Sequence, residues 1–368
     1  MYWRTILERN VTTVEELKNW LPLTPVEKLE IGEEIQKFPM SVTEYYMSLI
    51  RPEDPHDPIR KLAVPSAGAH SMEGSLDTSG EGSNTRIPGL QHKYEQTAMV
   101  LTSSECAMYC RHCFRRRMVG KQEDEITQNR NAVCGYVRSH PEINNVLLSG
   151  GDAFLLDTED IEDWLEALTE LPQLDFIRFG TRTPVTFPHR ILLDPMLTDT
   201  LQYYGRKKQI YVVTHFNHPR EVTKQARDAI QKLQSSGIVV KNQTVLMRGV
   251  NDESRVLGDL LRKITSMGVI QHYIFQCRPV QGVQNQFAVP LRVGQRIVKD
   301  ALRMQNGLGK SADYTMSHRT GKIRVLGEIG RDEMLFQYQE AKDPDLTGRF
   351  FTRELEATEN WLPDDLYL

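Results

Sequence analysis

With 368 residues, 39% hydrophobic and 26% charged, the chain has the composition of a globular protein with ample apolar side chains for a large core. Its 45 Lys plus Arg stand against 49 Asp plus Glu, and the net charge of −4 supplies no field to gather nucleic acid or an anionic membrane surface. The start MYWRTILERN lacks the basic and apolar regions of a signal peptide, and no apolar stretch approaches the ~20 residues that span a bilayer, so a cytoplasmic location with no nucleic-acid and no membrane partner is expected.

Residues 1–50 read as short helices. Thr24, Pro25 and Glu27 supply a cap, a first-turn proline and a reciprocal N3 carboxylate, and Ser41 with Glu44 repeats the pattern. The stretch 51–96 is rich in Pro, Gly, Ser and Asp, which favours turns, so 1–96 is predicted as a helical segment followed by a wrapping arm. A long arm of this kind points to a homo-oligomer. From residue 97, short β-branched runs alternate with stretches of helical period. Strands are predicted at 97–103, 145–150, 175–181, 209–216, 239–246 and 271–277, with helices at 157–171, 219–234, 253–267 and 290–305. Strands joined by crossover helices make a parallel sheet, so 97–305 is of α/β class, six βα units forming a partial barrel. In 306–368 the runs DYTMSH, RTG, KIRVLGEI and EMLFQYQ read as a small antiparallel β meander with an acidic, aromatic tail.

Five cysteines form an odd set, and three of them crowd into eight positions, which disfavours disulfides. Cys106, Cys110 and Cys113 follow directly on the first predicted strand of the alternating region, and parallel α/β sheets bind ligands at the carboxyl ends of their strands. Thiolates are soft donors for iron–sulfur clusters or zinc, and three of them leave one metal position without a protein ligand. The Cys-x3-Cys-x2-Cys spacing is identified with the radical SAM superfamily. There the open iron of a 4Fe-4S cluster takes the amino and carboxylate groups of S-adenosyl-L-methionine (SAM), and an electron breaks a C–S bond to give a 5′-deoxyadenosyl radical. The competing reading is a zinc site completed by His112 or a distant cysteine. Cys134 and Cys277 read as packing residues.

The segment CAMYCRHCFRRR resembles the lysine 2,3-aminomutase family of radical SAM enzymes. The likeness continues through LSGGDAFLL at 148–156, GTRTPVTFPHRI at 180–191, THFNHPREV at 214–222, NQTVLMRGVND at 242–252 and, upstream, PEDPHDPIRK and IPGLQHKY. The resemblance implies a partial (β/α)6 radical SAM barrel. It places Ser149, Gly150, Gly151 and Asp152 at SAM, although GGD also suits a plain tight turn, and adds His112, Gln243 and Asn242 as further candidates. Arg115 takes the α-carboxylate of a small-molecule amino acid substrate, which its fork of donors suits. Arg116 and Arg117 read as a solvated or phosphate-facing run. A reductant such as flavodoxin or ferredoxin is implied as electron donor.

The family also uses pyridoxal 5′-phosphate (PLP), which needs a lysine to rest on and cations for its phosphate. Lys310, in NGLGKS, resembles the family's Gly-rich lysine segment, with Tyr94 and His215 or His218 beside the cofactor. The stretch before Lys310 is shortened, however, and Thr97 replaces the arginine expected three residues after Tyr94; an exposed turn lysine fits Lys310 equally well. Lysine enzymes of this type place an acidic residue directly after a cysteine to hold the distal ammonium, where this chain has Cys277 followed by Arg278. A guanidinium repels an ammonium and pairs with a carboxylate, so an acidic or neutral substrate such as glutamate is expected instead of free lysine. The other reading of Arg278 is a tie between the last barrel strand and the meander. The expected activity is a 2,3-aminomutase that moves an amino group from C2 to C3. The alternatives are a PLP-independent radical SAM enzyme acting on an amino acid or on a peptidyl lysine, as a relative does on elongation factor P, and an iron–sulfur electron carrier. Carriers usually fill every iron site with cysteine, which argues against the last.

Overall fold

A computed structural model describes residues 2–66, 73–121, 125–127 and 129–366. Twelve strands form one sheet in chain order: β1 (Thr85–Ile87), β2 (Leu90–Tyr94), β3 (Thr97–Ser103), β4 (Asn145–Gly150), β5 (Phe176–Gly180), β6 (Gln209–Thr214), β7 (Val239–Leu246), β8 (Ile270–Gln276), β9 (Asp313–Ser317), β10 (Gly321–Glu328), β11 (Glu333–Ala341) and β12 (Phe350–Glu354). All neighbours from β3 to β9 are parallel, and both flanks are antiparallel. The sheet is thus an open, partial barrel.

The alternation along each strand decides which face it buries. In β7, Val240, Asn242, Thr244 and Leu246 are buried against helices, while Lys241, Gln243 and Val245 stay partly open toward the hollow of the sheet. The covering helices answer with 3.6-residue spacing: Lys224–Ser235 turns Ala226, Ala229, Ile230 and Leu233 inward, and Ser254–Ser266 turns Leu257, Leu260, Leu261 and Ile264. Each fully buried aliphatic side chain contributes about 1.5–3 kcal/mol of transfer free energy. The helix predicted at 219–234 is split. His218 opens a short turn, Pro219–Glu221, and Thr223 caps the helix proper through Ala226 N.

The six predicted barrel strands all form within two residues of their expected limits. The difference lies in DYTMSH, read as part of an antiparallel meander. Its strand β9 pairs antiparallel with β10, but also parallel with β8, so six crossover helices join seven parallel strands. The RTG turn is a local signal, whereas the pairing with β8 reaches back across a whole helix. The arm is also more ordered than its composition suggests. Asp57 caps a helix at Pro58–Ala63, and β1 and β2 extend the sheet beside β3; residues 67–72 of the arm lie outside the described set.

Thr24 and Glu27 form the expected capping box on the helix Pro25–Lys37. Ser41 does not cap its helix. Thr43 does, its Oγ1 accepting from Tyr46 N at 3.1 Å, while Ser41 Oγ accepts from Asn10 Nδ2 at 2.8 Å. The bridge between Val11 and Val42 sets this phase, which the adjacent hydroxyls leave open in the sequence. No helix among the described residues is long and apolar enough to cross a membrane.

Candidate active site

The chain leaves β3 at Ser103 and turns into a loop bearing Cys106, Cys110 and Cys113, all half-buried and free of disulfides. Gly150 and Gly151, at the end of β4, let this loop pack on its neighbour. A Cβ on Gly150, whose φ is +118°, would stand 2.3 Å from the Ser103 carbonyl oxygen, and one on Gly151 2.2 Å from that of Glu105. Without those atoms Gly151 N donates to Ser103 O at 2.5 Å and Asp152 N to Glu105 O at 2.7 Å.

Glu34, from the helix Pro25–Lys37, clamps the loop from the other side. It accepts from Arg111 at 2.8 Å and from Arg116 at 2.5 Å, and Arg116 lies 3.6 Å over the Phe38 ring. Arg116 is therefore buried in an ion pair, and Arg117 pairs with Glu81 and Glu125; neither is the solvated or phosphate-facing residue expected from the triple-arginine run. Their partners lie far away in sequence or across the loop, which a local charge run does not reveal.

Burial, Asp152 and the other thiols push the Cys106 thiol far up, and burial with Cys110 pushes Cys113 up to about 11. Three soft, mutually repelling sulfurs fit iron, with protons lost on binding. Among the described residues no three His, Cys, Asp or Glu side chains converge on one point as the ligands of a single ion would.

Several predicted residues face this loop. Asp152 is buried, its carboxylate accepting from Arg182 N at 2.8 Å and Phe154 N at 3.0 Å. His112 leaves its buried Nδ1 without a hydrogen-bond partner, and burial, Arg182 and His215 push its pKa far down, so the imidazole is neutral. Burial and Arg182 lower His215 to about 4. His218 instead caps the turn at Pro219, and Asn242 braces the loop after β6 by accepting from Phe216 N at 2.7 Å, so of the Asn242–Gln243 pair the alternation of β7 leaves Gln243 on the open face. Cys134 and Cys277 are buried packing residues. The residue that sequence reasoning missed is Arg182, whose guanidinium donates to Cys110 Sγ at 2.9 Å.

Arg115 is buried, with Nε donating to Glu81 at 2.8 Å, Nη1 to Ser149 Oγ at 3.2 Å and Nη2 near the Met99 sulfur at 2.9 Å. Arg278 donates to the hydroxyls of Ser79 and of Ser317, the latter at 2.6 Å. It does tie β8 to β9 and to the arm, but it also enters the site. Arg115 and Arg278 lie over the same Phe114 ring, at 4.5 and 4.4 Å.

Glu81 is the buried anion of this cluster. Burial raises its pKa, yet Arg115, Arg117 and Arg278 outweigh that and hold it at about 2. A carboxylate depressed on folding stabilises the fold fully above its unfolded pKa and loses that contribution as pH falls toward the folded value, here from about 4.5 to about 2. The contribution is about 3 kcal/mol. Melting curves of wild type and Glu81→Gln across pH 2–6 should therefore differ most above pH 4.5 and converge below it; parallel curves would show that Glu81 does not hold the arm this way.

Lys310 does not join the site. It lies in the exposed turn Leu308–Lys310 that precedes β9, at the amino edge of the parallel sheet, on an open crevice of about 780 Å³ lined also by Arg296, Lys299, Arg303 and Arg324. The cysteine loop leaves the carboxyl edge. Tyr94 does face the hollow. Its ring lies under Lys322 at 4.7 Å and Lys93 at 5.3 Å, and its hydroxyl is buried without a partner.

A three-thiol loop at the carboxyl edge of an open parallel barrel defines a radical SAM enzyme, and the Radical SAM superfamily pattern matches residues 100–260. The L-lysine 2,3-aminomutase of Clostridium subterminale is 38% identical over 81% of this chain and 71% of its own, and that of Bacillus subtilis (strain 168) is 34% identical over 98% and 75%. The glutamate 2,3-aminomutase of Clostridioides difficile (strain 630) is 36% identical over 76% of this chain and 65% of its own. The chain belongs to the lysine 2,3-aminomutase family. It is an enzyme of the aminomutase type that uses a 4Fe-4S cluster and SAM.

Proposed function

We propose that this chain is an amino acid 2,3-aminomutase whose substrate has an acidic or neutral side chain, glutamate being the first candidate. The observation behind this reading is Arg278, a guanidinium at the carboxyl edge of β8 whose hydrogen bonds among the described residues go to two serine hydroxyls, while the Glu81 and Asp77 carboxylates act on it only through space. Burial lowers its pKa to about 10, so it stays charged at neutral pH. A substrate carboxylate can replace the hydroxyls, whereas an ammonium would meet repulsion. Arg115 would take the α-carboxylate, because Glu81 holds its Nε while the two Nη groups have only a hydroxyl and a thioether to give up. Both guanidiniums border the Phe114 ring.

When bound, the cluster and SAM supply the deoxyadenosyl radical, and PLP supplies a covalent hold on the migrating amino group. The PLP lysine favoured by this arrangement is Lys322, not Lys310. Lys322 pairs in register with Ser317 at the carboxyl end of β9, keeps a fifth of its side chain open, and lies over the Tyr94 and Tyr273 rings. Cations for the phosphate are at hand in Arg178, whose buried Nε lacks a partner, and in Lys241. A flavodoxin or ferredoxin in a reducing cytoplasm would deliver the electron.

The test is a substrate screen of anaerobically reconstituted enzyme with mass detection of the 3-amino product. Glutamate or a neutral amino acid should exceed lysine by about tenfold or more, the ratio set by 1.4 kcal/mol. Faster turnover of lysine would overturn the reading.

A further inference from the structure

We propose that Arg182 sets the reduction potential of the cluster through the Cys110 sulfur. The residue follows β5 and is fastened at four points. Its backbone N donates to Asp152 Oδ2 at 2.8 Å, Nε to the His215 carbonyl at 3.0 Å, Nη1 to Cys110 Sγ at 2.9 Å, and Nη2 to the carboxylate of Glu221. Glu221 is itself fully buried, accepting from Tyr46 OH and Asn217 N at 2.5 Å and from His218 N at 2.9 Å. The loops after β4, β5 and β6 and the helix Glu44–Met47 thus converge on one guanidinium, and that guanidinium points at a cluster ligand.

The sulfur of an iron-bound cysteine gains negative charge when the cluster takes an electron. A cationic donor at that sulfur stabilises the reduced form more than the oxidised form, which raises the potential, and the effect is stronger in a buried site than in water. Glu221 opposes it from the other branch of the guanidinium. The pair therefore acts as two opposing electrostatic settings on one sulfur, and Arg182 is a positioning residue that need not touch substrate. The inference rests on the cluster the family uses and is independent of which amino acid is rearranged.

The experiment is a redox titration of reconstituted holoenzyme, read by electron paramagnetic resonance, with iron and sulfide content measured alongside. Arg182→Gln should lower the potential enough to cut the reduced-to-oxidised ratio at a fixed potential about tenfold, which is about 59 mV for one electron. Arg182→Lys should shift it less, and Glu221→Gln should shift it upward. If Arg182→Gln fails to take up the cluster, the opposite shifts of Arg182→Lys and Glu221→Gln decide the matter. Unchanged potentials at full cluster content, or shifts of the same sign from the arginine and glutamate substitutions, overturn the proposal. Substrate turnover plays no part in the readout, so a failed substrate assignment gives a different result from a failed redox assignment.

Discussion

Protein with Lys322→Ala is expected to lose the cofactor absorbance near the visible edge and to fall in aminomutase turnover by about 10³-fold or more, the scale seen when a covalent nucleophile is removed. Lys310→Ala should keep both. The reason is placement. Lys322 is the second residue of β10, beside the end of β9, with Nζ 2.5 Å from Glu340 Oε2 and two aromatic rings around it. Burial lowers its pKa against the opposing pull of Glu340, which favours the neutral amine that must attack a carbonyl. Lys93 is the rival inside the hollow, brought down to about 7 by burial and Arg278, but its Nζ is occupied by the His318 carbonyl at 2.6 Å. Borohydride reduction followed by peptide mass mapping separates the three lysines. A label on Lys310 or Lys93 would refute the assignment to Lys322.

Reversing the charge at Arg278 should change which amino acid is preferred. In Arg278→Asp the ratio of kcat/KM for glutamate over lysine is expected to drop by about 10²-fold or more, since one pair of unit charges about 4 Å apart is worth about 4 kcal/mol at an effective dielectric of 20. Arg278→Lys keeps the charge but loses the fork, so it should retain glutamate preference with a raised KM. The substitution also removes the contacts to Ser79, Ser317 and Phe114, so melting temperature is measured in parallel. An unchanged ratio in a folded Arg278→Asp protein would leave Arg278 as a tie between strands and arm.

The clearest features in the sequence are those encoded by near neighbours. The Thr24–Glu27 capping box and the strands β3 to β8 depend on residues two to four positions apart, and each formed as expected. The seventh parallel strand did not show, because its pairing with β8 crosses a helix while its turn to β10 is local. Arg116 and Arg117 looked like surface residues for the same reason. Their carboxylates come from Glu34 and Glu81, 82 and 36 positions away.

The sequence by itself determined the crowding of three thiols into one loop, the parallel barrel behind them and the arginine beside Cys277. Only the tertiary structure decided which arginines are neutralised, that Arg182 reaches Cys110, and that Lys322 and not Lys310 enters the hollow. Periodicity is written in neighbouring side chains, but a buried charge is tolerated only where a distant partner arrives to meet it, and that meeting exists only in the folded chain.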